Sequence, residues 1–317
     1  MLRKIRYIFS LGMIWLLRHI PYAVAIAIAR FFGLLGWVLD PLHRKIASIQ
    51  MKQALGNDYA RYDTLKVFMR HGDILVDAIR FAYMDRSELS RRVTVEGRHF
   101  LDQAIASGRG VMLITGHIGN WEVLAHLPRL IDIEFCVMAD RRKDPLMESI
   151  VDSIRSRSGA TILPPKGKAL MLIRELRKGR VIGILVDQRG KRGDKVFCNV
   201  FGMPAPTNPA PAFIAIKGDA IIVPVYAIKE RGKYMVCFDA PIDSRDFSKD
   251  REGIFDLSQV MQTWVESVVR KYPTHWFWLH SRWTRRSDMR KIIKTGQDFK
   301  TYIFSQNERV MSGSPMI

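Results

Sequence analysis

The sequence is poor in cysteine. Its 317 residues contain three cysteines, Cys136, Cys198 and Cys237, which lie far apart and form no Cys-x-x-Cys pair. Disulfide frameworks use an even number of cysteines, and cysteine zinc sites use closely spaced pairs. The cysteine content therefore argues against both kinds of site and favours a reducing compartment.

Acidic residues are also scarce relative to basic ones. Fifty Lys and Arg side chains face 31 Asp and Glu side chains, which gives a net charge of +19. Such an excess attracts anionic partners, whether nucleic acid, phospholipid or an acidic carrier protein. A basic nucleic-acid-binding protein is therefore one hypothesis. Disorder of the whole chain is excluded, because 48% of the residues are hydrophobic and can form a sizeable core.

Two common catalytic patterns are missing. The chain contains no Gly-x-Ser-x-Gly sequence and no run of His, Cys and Asp with metal-ligand spacing. Hydrolases of the α/β type place their nucleophilic serine in the first pattern, and zinc sites need the second. We therefore expect no acyl-enzyme, no metal and no cofactor.

An apolar segment is present at the amino terminus. Residues 7–39 are nearly all apolar, with interruptions at Arg18, His19, Pro21 and Arg30. Residues 1–45 carry seven Lys or Arg side chains and a single acidic one, a pattern typical of segments at membrane surfaces. We interpret residues 1–45 as a membrane-associated helical segment that is retained, either spanning or lying in the membrane plane. The alternative is a hydrophobic helical hairpin packed on the rest of the protein.

The remainder of the chain alternates between strand and helix patterns. A helix is predicted over residues 57–84, and later helices near residues 99–106, 145–157, 169–178, 208–217 and 255–271. Strands are predicted at residues 93–95, 111–115, 135–139, 161–163, 181–186, 221–228 and 234–238. This βαβ rhythm predicts an α/β fold with a mostly parallel central sheet flanked by helices. Residues 46–317 are interpreted as one α/β domain.

A histidine and an acid follow one of these strands. His117 and Glu122 lie in Thr115-Gly116-His117-Ile118-Gly119-Asn120-Trp121-Glu122, directly after the strand at 111–115. Active sites of parallel sheets form at the carboxyl ends of strands. If Glu122 accepts a proton from one imidazole nitrogen, the other nitrogen is a base for acyl transfer. The alternative is a histidine bonded to a nearby carbonyl.

Three further motifs accompany this one in order along the chain. They are Val186-Asp187-Gln188, the stretch from Val200 to Thr207 (VFGMPAPT), and the stretch from Tyr272 to Trp283 (YPTHWFWLHSRW). Together the four motifs resemble the bacterial lipid A biosynthesis acyltransferases, the lauroyl and myristoyl transferases of the lysophospholipid acyltransferase group. An apolar amino terminus precedes the motifs in that family too.

The resemblance implies a glycerolipid acyltransferase-like fold and an enzyme on the cytoplasmic face of the bacterial inner membrane. It implies transfer of a fatty acyl chain from acyl carrier protein to a hydroxyl of a lipid A precursor. His117 is then the base and Glu122 its orienting partner, and we assign Gly119 and Asn120 of the same motif to substrate binding. The partners expected are acyl carrier protein, an anionic glycolipid acceptor and membrane phospholipid, with no nucleic acid. Phosphatidylinositol mannoside acyltransferases, with acyl-CoA as donor, resemble the same motifs and remain an alternative.

Basic residues concentrate between residues 141 and 195, where fifteen Lys and Arg side chains face six acids. Arg141 and Arg142 stand where the family often has an Arg-Pro before an Asn-Pro, and we assign them to substrate charge. Asp187, Gln188 and Arg189 follow the strand at 181–186 and are assigned to substrate binding at the same edge as His117. A helix N-cap at Asp187 and a solvated basic face are the alternatives.

The tryptophans near the carboxyl terminus are a further feature. Trp276, Trp278 and Trp283 lie among histidines and arginines, which suggests rings at a lipid interface. Core packing is the competing explanation. A catalytically idle lipid-binding scaffold with the same fold is the third function considered.

Overall fold

The computed structural model describes residues 2–138, 144–163, 168–190 and 195–313. The strands are β1 (Val93–Glu96), β2 (Val111–Thr115), β3 (Phe135–Met138), β4 (Thr161–Leu163), β5 (Val181–Leu185), β6 (Val196–Val200), β7 (Met203–Thr207), β8 (Ile221–Glu230), β9 (Lys233–Phe238) and β10 (Ile242–Asp243). The helices are α1 (Leu2–His19), α2 (Tyr22–Leu39), α3 (Pro41–Leu55), α4 (Asp63–Tyr83), α5 (Arg86–Arg92), α6 (Arg98–Ala106), α7 (Leu127–Ile131), α8 (Pro145–Arg155), α9 (Lys168–Arg177), α10 (Ala210–Gly218), α11 (Arg251–Lys271), α12 (Arg286–Thr295) and α13 (Phe299–Gly313).

The central sheet has the strand order β1-β9-β8-β2-β5-β3-β4, and β10 pairs with β8. Parallel pairing joins β2 to β5 and β8, β3 to β4 and β5, and β1 to β9, while β8 runs antiparallel to β9 and β10. All five residues of β2 are buried, as expected for a strand that helices cover on both faces. The predicted fold class, a mostly parallel sheet flanked by helices, is confirmed.

Side chains of β2 alternate between two hydrophobic cores. Met112 and Ile114 belong to the larger core, which also holds residues of α3, α11 and the carboxyl-terminal tryptophans. Val111 and Leu113 belong to the second core, on the opposite face, with residues of α5 and α6. Because successive side chains of a strand point to opposite faces, β2 is fixed from both sides and its carboxyl end is a rigid position for functional residues.

A hairpin escaped the sequence analysis. Strands β6 and β7 pair antiparallel in a separate two-stranded sheet, joined by Phe201 and Gly202, which both have positive φ angles (53° and 72°). Residues 203–207 contain Pro204 and Pro206, and prolines in a run argue against a central strand. The prolines are tolerated here because a two-stranded sheet consists of edge strands alone.

Other boundaries differ from the predictions. The helix expected from residue 57 begins at Asp63, whose carboxylate accepts a hydrogen bond from the Ala60 N–H at 2.9 Å and so ends the preceding turn. Helices α3, α5, α7, α12 and α13 have no separate counterpart among the predicted helices. Helix α3 continues across the predicted boundary between residues 45 and 46. The division of the chain into residues 1–45 and 46–317 stays a prediction.

Helix α2 packs closely on α4 through small residues. A Cβ atom on Gly72 of α4 would lie 2.5 Å from the Ala29 carbonyl oxygen, and one on Gly33 would lie 2.8 Å from the Met69 Cα. The two backbones therefore approach as closely as glycine permits. Ala25, Ile26 and Ala29 form the buried face of α2.

The rest of the amino-terminal surface is apolar and exposed. Large hydrophobic side chains face outwards from both helices, namely Ile5, Ile8, Phe9, Leu11, Trp15 and Leu16 on α1 and Val24, Phe31, Phe32, Leu34, Leu35, Val38 and Leu39 on α2. Among the helices of the described ranges, α2 has the length and composition to cross a membrane, with a mean hydropathy of 1.9. One such helix near an amino terminus is weak evidence by itself, so membrane anchoring stays a prediction.

Buried polar contacts tie α2 to the domain. Asp77 of α4, fully buried, accepts hydrogen bonds from Tyr22 of α2 (2.8 Å), from Lys229 of β8 (2.9 Å) and from Tyr234 of β9 (2.6 Å). Arg30 of α2 forms a bidentate ion pair with Asp73 of α4, its closest nitrogen–oxygen distance being 2.8 Å. Helix α2 is thus a packed part of the structure, although its outer face is apolar.

The approach of α2 to α4 yields a prediction. Gly72→Ala should lower the free energy of unfolding by about 1–3 kcal/mol, because the added methyl group collides with the Ala29 backbone and forces the helices apart. Denaturant unfolding in detergent measures this change. The matched control is Gly12→Ala on α1, where a Cβ would meet nothing within 4 Å and alanine favours the helix. Equal stability of the two variants would contradict the packing described.

Candidate active site

Two loops meet at the carboxyl ends of β2 and β5. The first carries Gly116 and His117, and the second carries Asp187 and Gln188. The N–H of His117 donates to Asp187 Oδ2 at 2.8 Å, and His117 Nδ1 lies 2.8 Å from Asp187 Oδ1. The Trp276 indole N–H also donates to Asp187 Oδ2, at 2.7 Å. The parallel pairing of β2 with β5 therefore produces a histidine–carboxylate pair held at several points.

The partner of His117 differs from the one expected. Glu122 lies on a 3₁₀ helix (Trp121–His126), where its Oε1 accepts a hydrogen bond from the Trp121 indole at 3.1 Å. The carboxylate that bonds to the imidazole is that of Asp187, so the assignment of Glu122 as orienting partner is corrected. The reason is topological, because strand pairing brings together residues that are 70 positions apart in sequence.

Electrostatics at the pair favours a charged imidazole. Burial alone would lower the pKa of His117, but the charge of Asp187, the hydrogen bond to it and the charge of Glu122 outweigh burial and raise that pKa above its usual value. Burial would raise the pKa of Asp187, which is 3% exposed, yet the hydrogen bonds from His117 and Trp276 and the charge on His117 hold it below its usual value. Asp187 is therefore an ionised acceptor, which places the proton of neutral His117 on Nδ1.

The second imidazole nitrogen, Nε2, is left basic. It lies 3.1 Å from the side-chain amide nitrogen of Gln188, an exposed residue. The rings of Trp121 and Phe277 flank the imidazole, with centroids 4.8 and 6.1 Å from it. We call this place the His117 cleft, and its lining includes Asp187, Gln188 and Phe277. A group held there would meet a basic nitrogen beside apolar rings.

The loop that follows His117 is fixed by backbone contacts. Gly119 has a φ of 59°, and a Cβ atom there would lie 1.9 Å from the Ala227 carbonyl oxygen, so only glycine fits. The Gly119 N–H donates to the His275 carbonyl at 2.8 Å and the Asn120 N–H to the Ala227 carbonyl at 2.9 Å. Both amides are therefore occupied within the protein. Gly119 and Asn120, assigned to substrate binding from sequence, line a second pocket instead of the His117 cleft.

A buried arginine supports the cleft from below. Arg282 is 2% exposed and donates to the Pro206 carbonyl (2.8 Å), to Thr207 Oγ1 (2.7 Å) and to Gln262 Oε1 (3.1 Å). Burial lowers the pKa of its guanidinium to about 10, so it stays charged at neutral pH. Arg282 is one of the arginines among the tryptophans that the sequence predicts at a lipid interface. Its position directly before Trp283 is the sequence signal for a buried arginine.

The three tryptophans belong to the core. Trp276, Trp278 and Trp283 are 4%, 1% and 3% exposed, and they pack against one another and around Phe201. The interpretation of these rings as lipid-facing is therefore wrong. The hydrogen bond from Trp276 to Asp187 gives one of them a role in fixing the carboxylate that pairs with His117.

Basic residues approach the edge of the site. Arg189 and Lys195 lie near Arg285, and burial together with the Arg285 charge lowers the pKa of both. We call these three residues the basic cluster. In the part of the chain that the structure describes, no carboxylate forms an ion pair with any of them. Arg141, Arg142, Lys191 and Arg192 lie outside the described residues. Across the described ranges, no group of three His, Cys, Asp or Glu side chains is arranged to hold a metal ion.

The chain is similar to several acyltransferases that act on lipids. The chain is 25% identical over 228 residues to a phosphatidylinositol mannoside acyltransferase of Mycobacterium tuberculosis (strain CDC 1551 / Oshkosh), which covers 68% of this chain and 70% of that protein. It is also 25% identical over 208 residues to a lipid A biosynthesis acyltransferase of Haemophilus influenzae, 64% of each chain. The crystal structure of the 1-acyl-sn-glycerophosphate acyltransferase PlsC from Thermotoga maritima aligns with 89% of this chain and all of that one, at 15% identity and a TM-score of 0.37.

The decisive comparison is with a family. Residues 1–285 of the 317 match the bacterial lipid A biosynthesis acyltransferases, a stretch that includes both loops of the His117 cleft. The nucleic-acid-binding and idle-scaffold hypotheses have no comparable support. The chain therefore belongs to the bacterial lipid A biosynthesis acyltransferase family and is a lipid acyltransferase.

Proposed function

We propose that this acyltransferase moves a fatty acyl chain from the thioester of acyl carrier protein to a hydroxyl of a lipid A precursor, with His117 as general base. The observation that carries the proposal is the His117–Asp187 pair at the carboxyl ends of β2 and β5. Asp187 holds the Nδ1 proton and leaves Nε2 free to take a proton, which is the arrangement of a histidine base in acyl transfer.

The reaction follows from these positions. Nε2 of His117 removes the proton of the acceptor hydroxyl as its oxygen attacks the thioester carbonyl carbon, which gives a tetrahedral oxyanion. The carbon–sulfur bond then breaks, the ester remains on the acceptor, and the thiolate takes the proton from the His117 imidazolium. Asp187 stabilises that imidazolium by its charge. The Gly119 and Asn120 amides are occupied, but the side-chain amide of Gln188 has two N–H donors. One of them is directed at Nε2 of His117 (3.1 Å), and we assign the other as a hydrogen-bond donor to the oxyanion.

The donor and acceptor are inferred from charge and from the family. Acyl carrier protein is acidic and a lipid A precursor is anionic, and the basic cluster beside the cleft presents three positive charges to either, with the carboxylate of Asp288 offsetting part of the charge at Arg189. The family match favours lipid A chemistry. The mycobacterial relatives favour the alternative of a phosphatidylinositol mannoside acceptor. On that alternative, acyl-CoA would be the donor.

The proposed location is the cytoplasmic face of the bacterial inner membrane, in contact with phospholipid. The exposed apolar side chains of α1 and α2 support it, because a surface of this extent is costly in water. On this proposal, residues 1–45 hold the His117 cleft close to a lipid acceptor that does not leave the membrane.

Replacement of His117 tests the base directly. His117→Ala should lower turnover by about 10²–10⁴, the usual contribution of a general base, while the protein remains folded and membrane-bound. Acyl transfer from radiolabelled acyl carrier protein thioester measures this loss. The matched control is His99→Ala, the same exchange at an exposed position on α6. Near-normal turnover of the His117 variant would remove the base assignment.

The partner of His117 is tested by pH. In the wild type, kcat/KM should fall as the pH drops through the raised pKa of His117, because the protonated imidazole is no base. Asp187→Asn removes the charge that raises this pKa, so the acidic limb should move to lower pH, and kcat should fall by about 10²–10⁴ through loss of imidazolium stabilisation.

Glu122→Gln is the matched comparison. Glu122 affects His117 through charge alone, so this variant should shift the acidic limb in the same direction with a much smaller loss of kcat. If Glu122→Gln lost as much activity as Asp187→Asn, the pair proposed from sequence would be the working one and the assignment of Asp187 would fail.

Charge reversal tests the donor. Arg189→Glu combined with Lys195→Glu should raise KM for acyl carrier protein thioester more than it lowers kcat, and added salt should weaken the wild type similarly. Arg86→Glu, an exposed site on α5, is the control. Competition between carrier-protein and coenzyme A thioesters of equal chain length decides the donor. Preference for coenzyme A would support the mannoside alternative, and salt-independent kinetics would exclude a docking role for the basic cluster.

A further inference from the structure

Unpaired polar atoms gather in the second pocket, which shares no residue with the His117 cleft. Seven buried side-chain polar atoms in the described residues lack a hydrogen-bond partner, and four of them line this pocket: Arg70 Nε, His71 Nε2, Asn120 Oδ1 and His275 Nδ1. Buried polar groups are nearly always paired, so a concentration of unpaired ones at one cavity marks a place where the hydroxyl groups of water or of a ligand complete the hydrogen bonds. We call this cavity the α4 pocket.

The hydrogen-bonding state of each atom follows from its neighbours. Tyr234 has one hydroxyl proton and donates it to Asp77, so its oxygen accepts from the Asn120 amide nitrogen at 3.2 Å. The amide of Asn120 is thereby fixed with Oδ1 as the unpaired atom, and its side chain is part of a residue that is 1% exposed. Asn120 thus contributes a buried acceptor.

The two histidines are fixed in the same way. His71 Nδ1 lies 2.6 Å from the Val67 carbonyl, which can only accept, so the unpaired Nε2 is an acceptor. Arg70 donates to His275 Nε2 at 2.6 Å, so the proton of His275 is on Nδ1. Nδ1 faces the main chain of Lys229 but does not meet the geometric criteria for a hydrogen bond to it. Burial lowers the pKa of both histidines, so both are neutral at neutral pH. The α4 pocket therefore offers two acceptors, from His71 and Asn120, and one donor, from Arg70, whereas the His275 proton is directed at the Lys229 main chain.

This mixture selects the chemistry of the ligand. An ionised phosphate has only acceptor oxygens, so it could pair with Arg70 but would also face the lone pairs of His71 and Asn120 and the carboxylate of Asp73. The other charges near the pocket are already paired, Arg30 with Asp73 and Lys229 with Asp77. A hydroxyl group both donates and accepts, and neighbouring hydroxyls of a sugar match an alternating set of donors and acceptors.

The position of the pocket connects it with the acceptor. Asn120 is three residues beyond His117, and the His71 ring packs on Phe277 (4.8 Å between centroids), which also packs on His117. On its other side the pocket is bordered by Asp73, which pairs with Arg30 of α2. It thus lies between the catalytic loop and the segment proposed to contact the membrane, whereas the basic cluster proposed for the donor adjoins Gln188 in the chain.

We propose that the α4 pocket binds uncharged hydroxyl groups of the sugar of the lipid acceptor, with His71 and Asn120 as hydrogen-bond acceptors and Arg70 as donor. The proposal rests on the proposed function, because it identifies where the acceptor of that reaction is held. His71 is a positioning residue in this scheme, since it orients the sugar and does not touch the reacting atoms.

Binding is measured first on the unaltered protein. The full chain labelled with ¹⁵N-histidine is titrated with octyl glucoside, octyl phosphate or pantetheine, each below the concentration at which it forms micelles. Octyl glucoside should move the Nε2 resonance of His71 in the direction of hydrogen-bond acceptance, and the other two should leave it in place. A response to octyl phosphate alone would make the pocket an anion site, and a response to pantetheine alone would assign it to the donor. Either result, or no response to any probe, would overturn the proposal.

Kinetics supply the second measurement. His71→Phe keeps a ring of similar size against Phe277 but removes the acceptor nitrogen, so KM for the glycolipid acceptor should rise about tenfold while KM for the donor changes little. His71→Gln returns an acceptor and should recover part of the loss. The wild type should discriminate against an acceptor that lacks one sugar hydroxyl, and His71→Phe should lose that discrimination. His99→Phe, the same exchange at an exposed site, is the control.

The outcomes separate the two proposals. Acyl transfer by the wild type with unchanged acceptor KM and unchanged hydroxyl discrimination in His71→Phe would overturn the α4 pocket as a sugar site and leave the proposed function standing. Absence of acyl transfer to any glycolipid by the wild type, with the histidine response to octyl glucoside present, would instead refute the proposed function.

Discussion

The hydrogen bond between His117 and Asp187 is the interaction on which the site depends. It exists because β2 and β5 pair in parallel and end at the same edge, so each delivers its next residues to one point. Removing two groups from water costs free energy that the contact recovers by pairing an ionised carboxylate with two N–H donors of His117 and one of Trp276. The packing of the carboxyl-terminal tryptophans thus helps to position Asp187, because Trp276 is both a core residue and a hydrogen-bond donor to this carboxylate.

The sequence predicts much of the fold and one half of the proposed catalytic pair. Residues 111–115 and 181–185 read as strands because buried parallel strands are runs of apolar residues, and the rule that sites form at their carboxyl ends pointed to His117 and Asp187 separately. The short spacing between His117 and Glu122 then favoured Glu122 as the partner. A pair five positions apart can be recognised as a motif in the sequence, whereas a contact between residues 70 positions apart cannot. The tryptophans were misplaced for a related reason, because an apolar ring beside charges has the same sequence pattern in a core as at a lipid surface.

Tight backbone approaches explain why several glycines hold their positions in this architecture. Gly119 allows the loop after β2 to pack directly on the Ala227 carbonyl, and Gly72 allows the backbone of α4 to pack directly on that of α2. Gly119 lines the α4 pocket, and residues on either side of Gly72, among them His71 and Asp73, form its α4 wall. The wall of that pocket is therefore set by backbone geometry, and its polar atoms are held in place by Asp77, Tyr234 and the Val67 carbonyl rather than by flexible surface side chains.

The cluster around Asp77 has a consequence for the way the chain matures. Tyr22 of α2 contacts Lys229 of β8, which is 207 residues later in the chain. At the usual rate of about 5–20 residues per second, α2 leaves the ribosome about 10–40 s before its partner strand is made. During that interval the Asp77 cluster is incomplete. Asp73 and Asp77 of α4, the partners of Arg30 and Tyr22, follow them by 43 and 55 residues, but Lys229 and Tyr234 have not yet been made. A membrane or a chaperone must cover the apolar outer face of α2 during this time. Early contact with a bilayer would therefore guide the order in which this enzyme folds.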